Sequence, residues 1–265
     1  MQPNPTRVVL IALATVLGVC VMLAIAPVQD PLDVDLASRL DAPSASHWLG
    51  TDELGRDVLS RVVRGTALTI SIAVGALVTS LAVGVLLGAV AGYYYKKWPD
   101  RLISWVGDFL MSVPFLVVIV AVLSVTGPGL AKAYLVLAAI IWVGPARIVR
   151  SEVIRTLPLA YVSAERVIGT PEWRILLVTV MPACLDSAVL FAISYLPEIV
   201  ALEAGLSFLG LGVQPPDPSL GKMIFDGVGY LGVAWWLALF PAGALLLVVA
   251  GIQAASWYAR LHRLG

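Results

Sequence analysis

The sequence predicts an all-α polytopic membrane protein, and three observations carry that prediction. Of the 265 residues, 60% are hydrophobic and only 13% are charged. Mean hydropathy is +0.94. Apolar runs near the ~20 residues that a helix needs to cross hydrocarbon recur six times. A soluble core of this size has no use for so much apolar surface, and a bilayer does. Net charge is zero and the isoelectric point is near 6.7, so the chain lacks the basic surface that polyanions select. No stretch interleaves basic and aromatic residues, which argues against nucleic acid as a partner.

The first run, Val8–Ala26, follows Arg7 and meets no small-residue cleavage site before the acidic stretch beyond it, so it reads as a retained span. In Pro27–Arg64 the leading part is acidic and irregular. Leu54, Val58, Leu59, Val62 and Val63 then recur at helical spacing against Arg56, Asp57, Ser60, Arg61 and Arg64. That pattern predicts an amphipathic helix on the membrane surface. Thr66–Tyr95 is an overlong second span and Phe109–Val125 a third. Ala133–Val149 is the weakest candidate, with fourteen uncharged residues between Lys132 and Arg147, and Arg147 is expected to snorkel to the interface. Ser187–Gly205 is the fifth span and Leu237–Ala259 the sixth; between them Val213–Gly221, with three prolines, reads as a stiff non-helical turn. The chain thus divides into residues 1–65, a span plus an extracytoplasmic segment, and 66–265, a five-helix core.

Six spans put both termini on one side. The basic residues choose the cytosol: Arg7, Lys96, Lys97, Arg101, Arg147, Arg150, Arg155, Arg166, Arg174, Arg260 and Arg263 fall there, whereas the six on the other side are outnumbered by nearby acids. The same rule places in the cytosol a charged island, Tyr161 to Pro182. Within it Gly169 suits the left-handed closure of one helix, and Thr170-Pro171-Glu172 suits the opening of another. A helix-turn-helix is expected.

Cys20 and Cys184 lie far apart in apolar runs and His47 and His262 are isolated, so no metal signature is present. Gly221-Lys222 is preceded at the required distance by Pro216 and followed by Met223, so there is no phosphate-binding loop and no sign of an enzyme. Glu198 and Glu203 are the carboxylates well inside a predicted span, where burial in hydrocarbon is costly. Five residues apart, they lie some 140° round a helix and need not share a site. Either can line a transport path, which leaves a stand-alone ion-coupled carrier or channel open as a second class of function.

His47-Trp48-Leu49-Gly50-Thr51-Asp52-Glu53-Leu54-Gly55-Arg56-Asp57 and the stretch Glu203-Ala204-Gly205-Leu206-Ser207-Phe208-Leu209-Gly210-Leu211-Gly212-Val213-Gln214-Pro215-Pro216 closely resemble two motifs of one family, the C-type permease subunits of dipeptide, oligopeptide and nickel ABC importers. The island resembles that family's cytoplasmic coupling loop, about 156–182. Ser163, Ala164 and Glu165 stand where the pattern has Glu-Ala-Ala, Gly169 stands at its glycine and Pro182 at its proline; Ser163 and Glu165 depart from the pattern.

The resemblance implies the six-span fold of type I ABC importer permeases in a bacterial or archaeal cytoplasmic membrane. It also implies three kinds of partner besides lipid: a homologous B-type permease, two ATPase subunits and an extracytoplasmic substrate-binding protein. ATP and Mg would bind in the ATPases, with no cofactor held by this chain. On that reading Tyr161, Ala164 and Ile168 form a helical stripe suited to an ATPase groove, Glu165, Arg166 and Glu172 fix its orientation through polar contacts at the edge, and Pro171 belongs to the loop as the opening of its second helix. Glu198, Glu203 and Ser207 are the candidates for the translocation path. The cargo stays open among dipeptides, longer peptides, nickel and metal chelates.

Overall fold

The computed structural model describes residues 29–264, with side chains through Trp257. The expected first span, Val8–Ala26, lies outside the described residues. Eight helices follow one another in the described part: α1 (Val58–Tyr93), α2 (Trp98–Ser112), α3 (Phe115–Thr126), α4 (Leu130–Thr156), α5 (Ala160–Val167), α6 (Glu172–Phe208), α7 (Leu220–Val228) and α8 (Trp236–Leu264). By length and composition α1, α4, α6 and α8 can each cross a membrane, and α2 with α3 makes a fifth crossing if counted as one broken span.

Two expectations are corrected here. The amphipathic stretch before Arg64 is not a separate surface helix: a single glycine, Gly65, lies between it and the apolar run, too little to end a helix, and α1 continues through it, so a division at 65/66 falls inside a helix. The third span is not straight either. Pro114 lacks an N–H and disfavours helical backbone at the residue before it; Val113 is extended, and α2 and α3 meet at 87°.

α1 is set at its start by a knot built from the first family-like motif. Asp57 caps the helix, its Oδ2 accepting from the Ser60 N–H at 2.8 Å and the Ser60 hydroxyl at 2.6 Å, while its Oδ1 lies 3.0 Å from His47 Nδ1. Asp52 accepts from Arg56 Nε at 2.7 Å and pairs with Arg61 Nε at 3.2 Å, and Arg61 also donates to the Pro31 carbonyl. Gly55, at φ +74°, is pressed so close to the Asp35 carbonyl that a Cβ would overlap it. The Thr51 hydroxyl donates to the Ser38 carbonyl. Finally the Trp236 indole N–H donates to the Thr51 carbonyl at 3.2 Å, which fastens the knot to the beginning of α8. With 36 residues at 1.5 Å each, α1 is about 54 Å long, against the ~30 Å of a hydrocarbon core, so its ends reach beyond the core.

Along its second half α1 lies against α4 backbone to backbone. A Cβ on Gly84 would sit 2.7 Å from the Trp142 carbonyl oxygen, one on Gly88 2.5 Å from the Ala146 oxygen, and one on Gly92 2.6 Å from Val153 Cβ. Small residues four apart are what lets two membrane helices approach this closely. Arg150 of α4 then grips buried Asp100 of α2 through two bonds, at 2.5 and 3.1 Å. The central core gathers Leu77, Ile119, Leu137, Leu196 and Ile199 from α1, α3, α4 and α6. Pro197 interrupts the α6 ladder and leaves the Ile193 carbonyl without its usual donor; the Ser256 hydroxyl of α8 lies 3.1 Å from it, a repair that membrane interiors demand.

Candidate functional site

The island folds as a short helix, a tight turn and the opening of α6. α5 buries only Val162, which enters a cluster of Val149, Val153, Ile175 and Val180. Its end closes as a reciprocal pair of backbone bonds, Thr170 N–H to Glu165 O at 3.0 Å and Gly169 N–H to Arg166 O at 3.1 Å. That geometry needs a left-handed residue, and Gly169 supplies it at φ +84°. Pro171 then occupies the cap position of α6, whose first stretch includes a π-helical segment, Ile175–Val180.

Three charged residues of the island are held within the fold. Arg166 Nε donates to Glu172 Oε1 at 2.8 Å, and the Tyr93 hydroxyl at the end of α1 reaches Glu172 Oε2 at 3.5 Å. Glu165 accepts from the Thr179 hydroxyl at 2.8 and 3.0 Å. The sequence reading sets these three at the edge of a partner's groove; their first role in the fold is to clamp the turn to α1 and α6. The apolar stripe is left outside. Tyr161 is 49% exposed, Ile168 79% and Val167 87%, and Ala164 and Ser163 lie on the same open surface, continued on α6 by Trp173 and Leu177.

The three candidates for a path do not lie together. Glu203 and Ser207 are 1% and 0% exposed, enclosed within the fold of this chain. The Ser207 hydroxyl donates to Glu203 Oε1 at 2.8 Å and accepts the Val213 N–H at 3.2 Å, so the pair braces the turn that leads to the proline-rich segment. Close glycines seal them in: a Cβ on Gly221 would lie 1.9 Å from the Ala204 oxygen. The buried Thr69 hydroxyl of α1 faces the Glu203 carboxylate, so the pair is set against α1 as well. Glu198, in contrast, is exposed and lines an open cavity between α3, α4 and α6.

Sequence reasoning missed two features. The glycine stripe of α1 is visible as Gly84, Gly88 and Gly92, spaced four apart in an apolar run. The opening knot is a structural device made of the motif's own residues, signalled by an Asp three residues before Ser60, the spacing of a helix cap.

A family model described as binding-protein-dependent transport system inner membrane component matches residues 84–263, a range that includes the island, Glu198 and Glu203. The chain is similar to the glutathione transport system permease protein of Pectobacterium atrosepticum, 34% identical over 79% of this chain and 69% of that protein. It is similar to the dipeptide transport system permease protein of Bacillus subtilis at 35% over 84% and 70%, and to the oligopeptide transport system permease protein of Mycobacterium tuberculosis at 34% over 82% and 75%. Among solved structures it is similar to the inward-facing MetNI methionine ABC transporter, with TM-score 0.56 over 76% of this chain and 95% of that one at 20% identity. At that identity the likeness shows the fold alone, that of an ABC importer permease.

Proposed function

This chain belongs to the family of binding-protein-dependent transport system inner membrane components, and we propose that it is the permease of an ATP-driven importer of short peptides, working with a second permease, two ATPase subunits and an extracytoplasmic binding protein. It is a multi-pass protein of the cytoplasmic membrane. The relatives named above are permeases for peptides and glutathione, and the proposed cargo is of that chemistry rather than nickel or a metal chelate.

The observation that carries the reading is the stiffened island with its apolar side bare. Tyr161, Ala164, Val167 and Ile168 are exposed on a helix-turn-helix whose Glu165, Arg166 and Glu172 are already engaged within the fold. An apolar surface of that kind, on a rigid mount, fits a partner's groove. In the proposed mechanism ATP and Mg bind in the ATPases, their closure pushes on α5, and the clamp between Glu172, Arg166 and Tyr93 passes the motion to α1 and α6.

Reconstitution tests this. The chain in proteoliposomes with its second permease, ATPases and binding protein should take up peptide only with ATP, and vanadate should stop it. Uptake by the chain alone down an ion gradient would replace the importer reading with that of a stand-alone carrier.

A further inference from the structure

A cavity of about 480 Å³ opens beside Pro114, at the bend between α2 and α3, with α4 and α6 as its other walls. That is the size of a small-molecule cleft. Phe115, Ile140, Ile141 and Phe191 make the wall mostly apolar, yet it carries one acid and one base, Glu198 and Arg147. On α6, Phe191, Tyr195 and Glu198 fall at i, i+4 and i+7, on one stripe. The two rings stack at 5.6 Å between centroids, and the Tyr195 hydroxyl interacts with the Glu198 carboxylate. On α4, Arg147 donates to Asp108 at 2.6 Å.

We propose that this cavity is a peptide subsite in the translocation path, where Glu198 receives the α-ammonium and Arg147 the α-carboxylate of the cargo. The inference rests on the peptide-import reading above. A lone cation has no use for Arg147 and a lone anion none for Glu198, whereas a zwitterionic peptide uses both. The apolar wall between them takes side chains of any identity. Asp108 is itself a carboxylate, in a pair whose members are 55% and 70% exposed. Pairs that wet are weakly held, so a peptide carboxylate can take the place of Asp108.

The fold also sets a length. Gly144 of α4 rests on the Phe191 ring, where a Cβ would be 2.8 Å away, and Ser187 reaches Glu152 at 3.2 Å. The two contacts show α4 and α6 running antiparallel. From the Gly144–Phe191 level, Glu198 lies seven residues along α6 and Arg147 three residues along α4 in the opposite sense. At 1.5 Å per residue their Cα atoms are about 15 Å apart along the axis. Side chains on a helix lean towards its N-terminus, which here tilts Glu198 and Arg147 towards each other and brings their charges closer than their Cα atoms; an extended chain covers ~3.3–3.6 Å per residue, so peptides of about two to four residues bridge the two charges.

The test uses the complete importer in proteoliposomes, with the binding protein saturated throughout so that turnover is read rather than capture. A tetrapeptide is compared with its N-acetylated and its C-amidated forms. Glu198→Gln should slow the free tetrapeptide by about tenfold, the worth of a charge-assisted contact, and leave the N-acetylated form unchanged. Arg147→Gln should do the same with respect to the C-amidated form, and Asp108→Asn should preserve both dependences. In the unaltered complex, turnover across peptide lengths should peak between about two and four residues and fall for longer chains. Each variant reads its own terminus, so one that fails to assemble leaves the other to decide, and the length series needs neither. Equal slowing of free and capped peptides, or a flat length series, overturns the subsite while leaving peptide import standing. If the unaltered complex moves no peptide, both fall.

Discussion

Gly169 permits a test that separates backbone from bulk. Nothing lies within 4 Å of where its Cβ would be, and its φ is +84°. A side chain there meets no clash within the chain, so the cost of substitution is conformational: ~1–2 kcal/mol for an ordinary L-residue in the left-handed region, less for Asn and more for a β-branched residue. Because 1.4 kcal/mol is a factor of ten, Gly169→Ala should reduce the closed turn relative to its open forms by about 5- to 30-fold. The bonds from Thr170 to Glu165 and from Arg166 to Glu172 oppose that opening. The assay is the ratio of peptide uptake to ATP hydrolysis in proteoliposomes. The expected order is Gly above Asn above Ala above Val, with hydrolysis persisting as uptake falls. Asn is larger than Ala, so if Ala couples better than Asn the loop is rejecting bulk, and the backbone argument is refuted.

Two further outcomes follow from packing. Gly88→Leu sets a side chain where Ala146 O is 2.5 Å and Val149 Cβ 2.8 Å from a bare Cβ; α1 and α4 must part, at a cost of about 1–3 kcal/mol or more. The purified complex should melt several degrees lower, with Val78→Ala on the exposed side of α1 unaffected. Asp52→Asn removes the carboxylate between Arg56 and Arg61, whose side chains are 11% and 9% exposed. Stripping one partner from such a buried group costs ~3–5 kcal/mol, and residues 29–57 should become open to limited proteolysis, whereas Asp33→Asn changes nothing.

Much of this fold is legible in one dimension because the bilayer imposes its own thickness: four of the apolar runs reappear as helices long enough to cross it. The turn at Gly169-Thr170-Pro171 was legible for a local reason, since each of those residues restricts or frees its own backbone. The bend at Pro114 carries the same kind of local signal, inside a run whose hydropathy alone suggests one straight span. What escapes is whatever depends on a neighbour far along the chain. Thr51 and Trp236 meet across 185 residues, and no spacing announces it. Glu198 and Glu203 look alike as carboxylates in a greasy run, and helix geometry says only that they diverge. Which of them turns inward is decided by the glycines packed beside Glu203 and by the bend that opens space beside Glu198.

α1 joins two places that have nothing else in common, the knot at Asp57 and the Tyr93 contact with Glu172, and it does so without a break. An unbroken rod cannot carry messages one way only. Whatever free energy nucleotide binding spends on rearranging the far end must reappear, undiminished, as a change in nucleotide affinity when something docks at that far end. If the binding protein of the proposed importer docks at the knot, it should shift the nucleotide affinity of ATPases it never touches, by the same factor that nucleotide shifts the affinity for the binding protein.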